Sequence, residues 1–225
     1  MPRRLSVVVP AVDEAPTLRQ RFGDLLALGD ELVVSDGGSR DDTVALARAA
    51  GARIVEGPAG RGGQLQRGAA AATGDILLFL HADVRLPAAS GEAIRAAVDA
   101  GAVSGAFALR FEPSTALLRL GERLVNWRTR RFLVPLGDQA QFVRRDLFER
   151  IGGFPDWPIL EDLDLTLRLR RIPGMVILPG PAVVSSRRFL VRGTWRTVAV
   201  DWLIWSLFLC GVSPHRLALL YRQVR

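Results

Sequence analysis

Gly74-Asp75-Ile76-Leu77-Leu78-Phe79-Leu80-His81-Ala82-Asp83 sets a short, almost wholly apolar run directly against a histidine and an acid. A run with no polar alternation is typical of a strand covered on both faces, and such strands belong to parallel sheets. Its neighbours repeat the plan. Leu5–Pro10, Glu31–Asp36 and Ala52–Glu56 read as strands, and Thr17–Leu28, Asp41–Gly51, Gln64–Thr73 and Pro87–Ala100 read as helices. Strand–helix–strand units at this spacing predict an α/β fold with a mainly parallel sheet and flanking helices. Right-handed crossovers then gather the strand C-termini on one edge, where open α/β sheets bind ligands. Asp13-Glu14, Asp36–Ser39, Arg61–Gly63 and His81–Asp83 all fall on that edge. One such cluster is an ordinary turn; four together predict a site.

Beyond Gly101 the pattern changes. Ala106–Phe111 alternates like an edge strand, Thr115–Arg131 reads as an amphipathic helix, and Gln139–Arg145 reads as a strand. In Pro158–Arg171 the alternation of Leu163, Leu165, Leu167 and Leu169 suggests a strand. Leucine's helix propensity, and acids leading while arginines trail, suggest a helix, which is the choice made here. The expected organisation is two halves of one domain, 1–105 and 106–190, followed by a C-terminal helical extension, 191–225.

Composition narrows the chemistry. The chain has 225 residues, 49% of them hydrophobic, and all 30 of its basic residues are arginine. Without lysine there is neither a P-loop nor a Schiff-base lysine enzyme. A single cysteine, Cys210, rules out a disulfide framework and a cysteine-rich metal site. No G-x-S-x-G nucleophile elbow occurs. The net charge of +7 favours anionic partners: a nucleotide, a lipid phosphate or a membrane surface. No aromatic–basic motif of an RNA-binding module is present, so nucleic acid is not expected. The N-terminus carries no export signal, and a cytoplasmic location is expected. Residues 202–212 are uncharged but fall short of the ~20 residues that span a bilayer. They read either as a buried or dimer-forming helix, or as a helix lying in a membrane interface beside Trp195, Trp202 and Trp205.

The individual motifs each have a plainer alternative. Asp83, just past a buried strand, can hold a hard divalent cation with diphosphate oxygens, or simply cap a turn. Asp36 can accept from the N–H edge of a base, or organise the loop before the next helix. Gly60-Arg61-Gly62-Gly63 lacks the third glycine of a dinucleotide loop, where Leu65 stands, but Arg61 can pair with a diphosphate. Glu161-Asp162 can supply a general base to a hydroxyl, or merely cap a helix.

In order along the chain, Ser6–Pro10 with Asp13-Glu14, Asp36-Gly37-Gly38-Ser39-Arg40-Asp41-Asp42-Thr43, Gly60–Gly68, Gly74–Pro87, and Gly152-Gly153-Phe154 with Glu161-Asp162 resemble the motifs of family 2 glycosyltransferases of the GT-A type. Gly137-Asp138-Gln139-Ala140 and the arginine-rich C-terminus resemble a small bacterial branch found beside radical-SAM and selenium-associated genes. The resemblance implies a GT-A, Rossmann-like fold and transfer of a sugar, with inversion, from a nucleotide-diphosphate sugar, UDP-linked in most members, to a hydroxyl acceptor that can be lipid-linked. It implies that 1–105 is a nucleotide-sugar-binding half and 106–190 an acceptor-binding half, with donor contacts at Pro10, Ala11, Val12, Glu14, Asp36, Arg61, His81, Ala82 and Asp83, and Mn2+ or Mg2+ on Asp83. It implies Asp162 as base with Glu161 assisting. Asp138, Gln139, Trp157, Arg187 and Arg188 would meet the acceptor or the diphosphate. His81 stands where the family's D-x-D has its first acid, and Ser185–Phe189 replaces Q-x-x-R-W. The expected partners are the donor, an acceptor with or without a lipid phosphate, an anionic membrane surface at the inner face of the cell membrane, and a second copy through the C-terminal helices. The competing readings are a catalytically inactive nucleotide-binding protein of the same fold, and a nucleotidyltransferase.

Overall fold

The computed structural model describes residues 3–187, 189 and 193–224, excluding the side chains at 194, 195, 198 and 222–224. The elements in order are β1 (Leu5–Ala11), α1 (Ala15–Leu28), β2 (Glu31–Asp36), α2 (Thr43–Ala49), β3 (Arg53–Glu56), α3 (Arg61–Ala71), β4 (Ile76–Phe79) and α4 (Ser90–Asp99). There follow β5 (Ser104–Glu112), α5 (Ala116–Phe132), a 3-10 turn (Gly137–Gln139), β6 (Phe142–Arg144), α6 (Arg145–Arg150), α7 (Glu161–Leu169), β7 (Met175–Ser185), α8 (Thr194–Leu209) and α9 (Pro214–Val224).

The strands form one sheet ordered β3-β2-β1-β4-β6-β5-β7. The first four are parallel, β6 runs antiparallel to β4 and β5, and β5 pairs with β7 in parallel. This is the mixed, mainly parallel sheet that the alternation of patterns predicts. The period of two in β1 decides the layers. Leu5, Val7 and Val9 face Leu18 and Leu25 of α1 with Ile94 and Val98 of α4. Val8 faces the other way, toward Leu65 of α3 and Leu165 and Leu169 of α7.

Strand β7 has no counterpart in the sequence reading. Its Pro179-Gly180-Pro181 looks like a turn, but it is a bulge: Leu178 pairs with Phe107 and Pro181 with Ala108, leaving two residues looped out. Gly180 sits there at φ +95°, a left-handed conformation that suits glycine. The strand expected over 139–145 shrinks to Phe142–Arg144, because Ala140 at φ +51° ends the preceding turn. The helix expected to begin at Gln64 begins at Arg61. Residues 161–169 are helical, and both signals in that stretch have a cause. Leu165 and Leu169 enter the core under the sheet, while Leu163 packs with Leu167 against Ile204 of α8 and Leu217 of α9. A helix buried on two opposite faces reads as alternation.

Candidate active site

The C-terminal ends of β1 and β2 are laced together by their loops. Asp36, 2% exposed, accepts from the backbone N–H groups of Gly38 (2.8 Å) and Ser39 (2.9 Å) and from the Ser39 hydroxyl. Asp13, at φ +53°, accepts from the Arg40 N–H at 2.7 Å, and Ser39 Oγ accepts from the Asp13 N–H at 2.9 Å. Gln64, from α3, donates to the carbonyls of Ala11 and Ser35, each at 2.9 Å. Gly37 N–H donates to the Ala11 carbonyl at 2.9 Å. Pro10 is partly buried, and Val12, 41% exposed, stands at the rim. Ser35, Asp36 and Ala11 thus form a rigid shelf, with Asp36 committed to shaping its own loop.

Past β4 the chain turns sharply, with Val84 N–H donating to the His81 carbonyl at 3.0 Å. Arg21 of α1, 8% exposed, clamps the turn by donating to the carbonyls of Ala82 (3.4 Å) and Val84 (3.0 Å). Ala82 is buried and Asp83 is exposed. Glu14 feels Asp83: burial raises its pKa, its bond with Thr17 opposes this, and the negative charges of Asp83 and Asp41 raise it further. The two carboxylates therefore share one stretch of rim. His81 points inward, and burial, with Arg61 alongside, lowers its pKa to about 3, so it is a neutral imidazole.

Glu161 and Asp162 open α7 after Leu160, which is left-handed at φ +67°. Both Asp162 oxygens are held: Gly137 N–H donates to Oδ2 at 2.6 Å and Leu163 N–H to Oδ1 at 2.8 Å. Glu161 is wholly buried, and neither of its oxygens has a hydrogen-bond partner among the described residues. Burial, with Asp162 alongside, raises its pKa to about 8 despite Arg61, whose Nε lies 3.5 Å from Oε1. Arg61 remains a cation: burial opposes its charge, but Glu161, Asp162, Tyr221 and Asp138 outweigh that.

Two glycines permit this assembly. A Cβ on Gly62 would lie 2.1 Å from the Pro155 carbonyl, so only glycine lets the Pro155–Trp157 loop sit on the start of α3. That contact, with Gly62 N–H donating to the Trp157 carbonyl at 3.1 Å, carries Arg61 to Glu161. A Cβ on Gly137 would stand 3.0 Å from both His81 Nε2 and Asp162 Oδ2, so these two groups face each other across bare backbone. His81, Gly137, Gln141, Glu161 and Asp162 line a small cavity of about 10 Å³, room for roughly one water.

The sequence-expected residues thus fall into three groups. His81, Glu161 and Asp162 meet at the cavity, with Arg61 and Asp138 within electrostatic reach. Glu14 and Asp83 share the rim, and Asp36 with Pro10, Ala11 and Val12 forms the shelf. The rest lie apart. Gln139 is 0% exposed: its amide donates to the Phe107 carbonyl at 2.9 Å and accepts from Thr129 and Leu136, so it holds the loop rather than a ligand. Trp157 packs edge-on against Phe208 of α8. Arg187 is exposed just beyond β7, and Arg188 lies outside the described residues.

Residues 6–152 match the profile described as Glycosyl transferase family 2. The chain belongs to that family. Among family relatives, a glucosyl-3-phosphoglycerate synthase of Mycolicibacterium paratuberculosis is 42% identical over an alignment of 98 residues that covers 38% of this chain and 30% of that protein. The match therefore spans under a third of the relative's length. Glucosyl-3-phosphoglycerate synthase of Mycobacterium tuberculosis, solved with Mn2+, UDP-glucose and phosphoglyceric acid, superposes with a TM-score of 0.61 at 25% identity, over 81% of this chain and 70% of the other. A mannosyltransferase of Pyrobaculum calidifontis, solved with GDP-mannose and Mn2+, shares the fold at a TM-score of 0.67 and 20% identity, over 95% and 66%. The GT-A architecture expected from the motifs is thus the observed one.

In this family member, sequence reasoning missed Arg21, Gln64, Gly137 as a spacer, and Gln141, whose amide ties Pro135, Asp162 and Thr166 together. Each acts through a long-range backbone contact that leaves no local signal.

Proposed function

We propose that this chain is an inverting glycosyltransferase that takes its sugar from a UDP-linked donor. The observation that supports this best is the facing of Asp162 and His81 across Gly137, with Arg61 alongside, beneath the rim that bears Asp83. The donor's base and ribose would lie on the Ala11–Asp36 shelf, with Pro10, Val12 and Glu14 at its margin and the diphosphate between Asp83 and Arg61. No cluster of three potential metal-ligating side chains occurs among the described residues. That suits a Mn2+ or Mg2+ ion held by Asp83, with Glu14 near, since such ions take one or two carboxylates and fill the remaining positions with phosphate oxygens and water. When bound, the cation supplies neutralisation of the charge that grows on the leaving diphosphate.

Asp162, oriented by the Gly137 and Leu163 N–H groups, would take the proton of the acceptor hydroxyl as that oxygen attacks C1. General-base help of this kind is worth about 10²–10⁴-fold. Glu161, whose pKa burial and Asp162 push up to about 8, would assist beside Asp162, with Arg61 Nε 3.5 Å from its Oε1. Arg61, its side chain partly open to solvent, would counter the charge that develops on the diphosphate. The acceptor would be a hydroxyl compound, with or without a lipid phosphate, approaching beside Arg61 and Asp138. The segment Gly137-Asp138-Gln139-Ala140, whose Gly137 lines the cavity, favours the small bacterial branch named above.

The test is a thermal-shift panel of UDP-, GDP- and dTDP-sugars with and without Mn2+, followed by turnover of Asp162→Asn. A UDP-sugar should stabilise the chain more with Mn2+ than without it. Asp162→Asn should lose at least about 100-fold in kcat with donor affinity kept. Equal loss of donor binding, or no nucleotide-dependent shift at all, overturns the assignment.

A further inference from the structure

Helix α5 is apolar on the wrong side as well as the right one. Its inner face is mixed: Leu118 and Val125 pack on Leu109 and Phe111, Asn126 brackets Leu109, accepting from its N–H at 2.7 Å and donating to its carbonyl at 2.9 Å, and Glu122 accepts from the Phe111 N–H at 2.6 Å. Thr129 is wholly buried on Gln139. A second apolar stripe faces out: Leu120, Leu124 and Trp127 are 52%, 59% and 61% exposed. They repeat at the i, i+4, i+7 spacing of one helix face. Arg119, Arg123, Arg130 and Arg131, all exposed, border that stripe. Glu122, the one acid of the helix, is committed to β5.

The stripe does not end with α5. Arg128 lies over the Trp205 ring of α8 at 5.0 Å. Trp202 and Leu209 flank Trp205 along α8 at helical spacing and are 66% and 68% exposed. Two helices thus present aromatic and aliphatic side chains outward, set among arginines. No helix among the described residues is long and apolar enough to cross a membrane.

We propose that this α5–α8 face seats the protein on an anionic lipid bilayer, with Leu124, Trp127, Trp202 and Leu209 dipping into the interface and the arginines meeting lipid phosphates. Large amphipathic rings and aliphatic side chains bordered by guanidinium groups are what the headgroup boundary accommodates. Arginines near an anionic surface add attraction that falls off within a Debye length. The charge pattern also selects against a second copy. An isologous dimer would set this arginine border against itself, with no facing acid from α5 to offset it. The docking stands independently of the catalytic reading. It extends that reading in one respect: it would bring the acceptor-binding half to lipid-linked hydroxyls.

The test is co-sedimentation of the full chain with phosphatidylcholine vesicles, with and without phosphatidylglycerol, combined with tryptophan emission. We expect binding to the anionic vesicles, a blue shift of emission, and weakening with added salt. Leu124→Gln combined with Trp127→Gln should reduce binding by about tenfold or more. Both sites are exposed, so the circular dichroism melt and the UDP–Mn2+ thermal shift should stay unchanged, which separates this proposal from the catalytic one. Absence of binding to anionic vesicles at low salt overturns the proposal, as does undiminished binding by the double variant. So does a concentration-dependent dimer in light scattering that the same double variant dissolves.

Discussion

Glu161 is a carboxyl group with no exposure, no hydrogen-bond partner among the described residues and an acid next to it in sequence. Its pKa, about 8 in the folded chain, exceeds the ordinary 4.5 because burial and Asp162 both penalise the anion. Between those two values the folded chain keeps a proton that the unfolded chain has released. Stability conferred by the protonated form is therefore complete at low pH and declines as pH rises through that window toward 8. Glu161→Gln keeps the shape and removes the titration. Its urea-unfolding free energy should match the parent at pH 5 and exceed it by about 1–3 kcal/mol at pH 8.5. Parallel pH profiles for parent and variant would show that Glu161 does not titrate as described. The acidic residues at 161 and 162 were legible in the sequence as a pair, and the resemblance implied Asp162 as the base, but the contrast in their surroundings was not legible. Gly137 N–H reaches Asp162 from 25 residues away, while no donor among the described residues hydrogen-bonds the Glu161 oxygens.

Strand β5 explains why α5 turns polar side chains inward. It pairs with β7 along its whole length, but with β6 only at Ser104 and Gly105. Beyond that point one edge is open, and an open edge must be covered. Gln139 takes the Phe107 carbonyl, Asn126 takes both backbone groups of Leu109, and Glu122 takes the Phe111 N–H. Side chains stand in for a missing strand. Asn126→Leu would leave the Leu109 groups unpaired and should cost about 1–3 kcal/mol in a denaturant melt. Leu124→Gln, one turn from Leu120 on the opposite face, should change stability by less than about 0.5 kcal/mol. If the two substitutions exchanged these effects, α5 would bury its Leu120–Leu124 stripe and the facing described above would be wrong. Sequence periodicity alone located this helix but gave no sign of which face is inward. The helix buries Leu118, but Leu120 and Leu124 face out because polar side chains take inner positions where β6 is too short to cover β5. Strand β7 escaped detection for a related reason, since Pro179-Gly180-Pro181 is as good a turn in isolation as it is a bulge in the sheet. By contrast, β1, β2 and β4 were legible because each is an apolar run buried on both faces, a feature that needs no knowledge of the partner, and β3, half exposed at the sheet edge, was legible from its place in the alternation of strand and helix.

At the scale of the whole molecule, the question is whether residues 191–225 form a separable extension, as their composition suggested. Helices α8 and α9 share one apolar cluster with the body: Ile204 and Leu217, 4% and 1% exposed, pack with Val134, Leu160 and Leu163. Leu160 and Leu163 flank Glu161 and Asp162, and Trp157 on the preceding loop meets Phe208. The helix that presents the candidate base is therefore held between the sheet on one side and the C-terminal helices on the other. Ile204→Ala, about 40 residues from Asp162 in sequence, should lower the unfolding free energy by roughly 2–5 kcal/mol, as cavities in apolar clusters do. It should also reduce turnover more than donor affinity, because the Ala11–Asp36 shelf and the Asp83 rim draw no residue from this cluster. Removing residues 193–225 exposes Leu163 and Leu167 together and should abolish the cooperative thermal transition or leave an aggregating chain. A truncated chain that melts at the parent temperature and still turns over would mean that α7 is fixed by the sheet alone, and that the cluster joining it to α8 and α9 is incidental to the site.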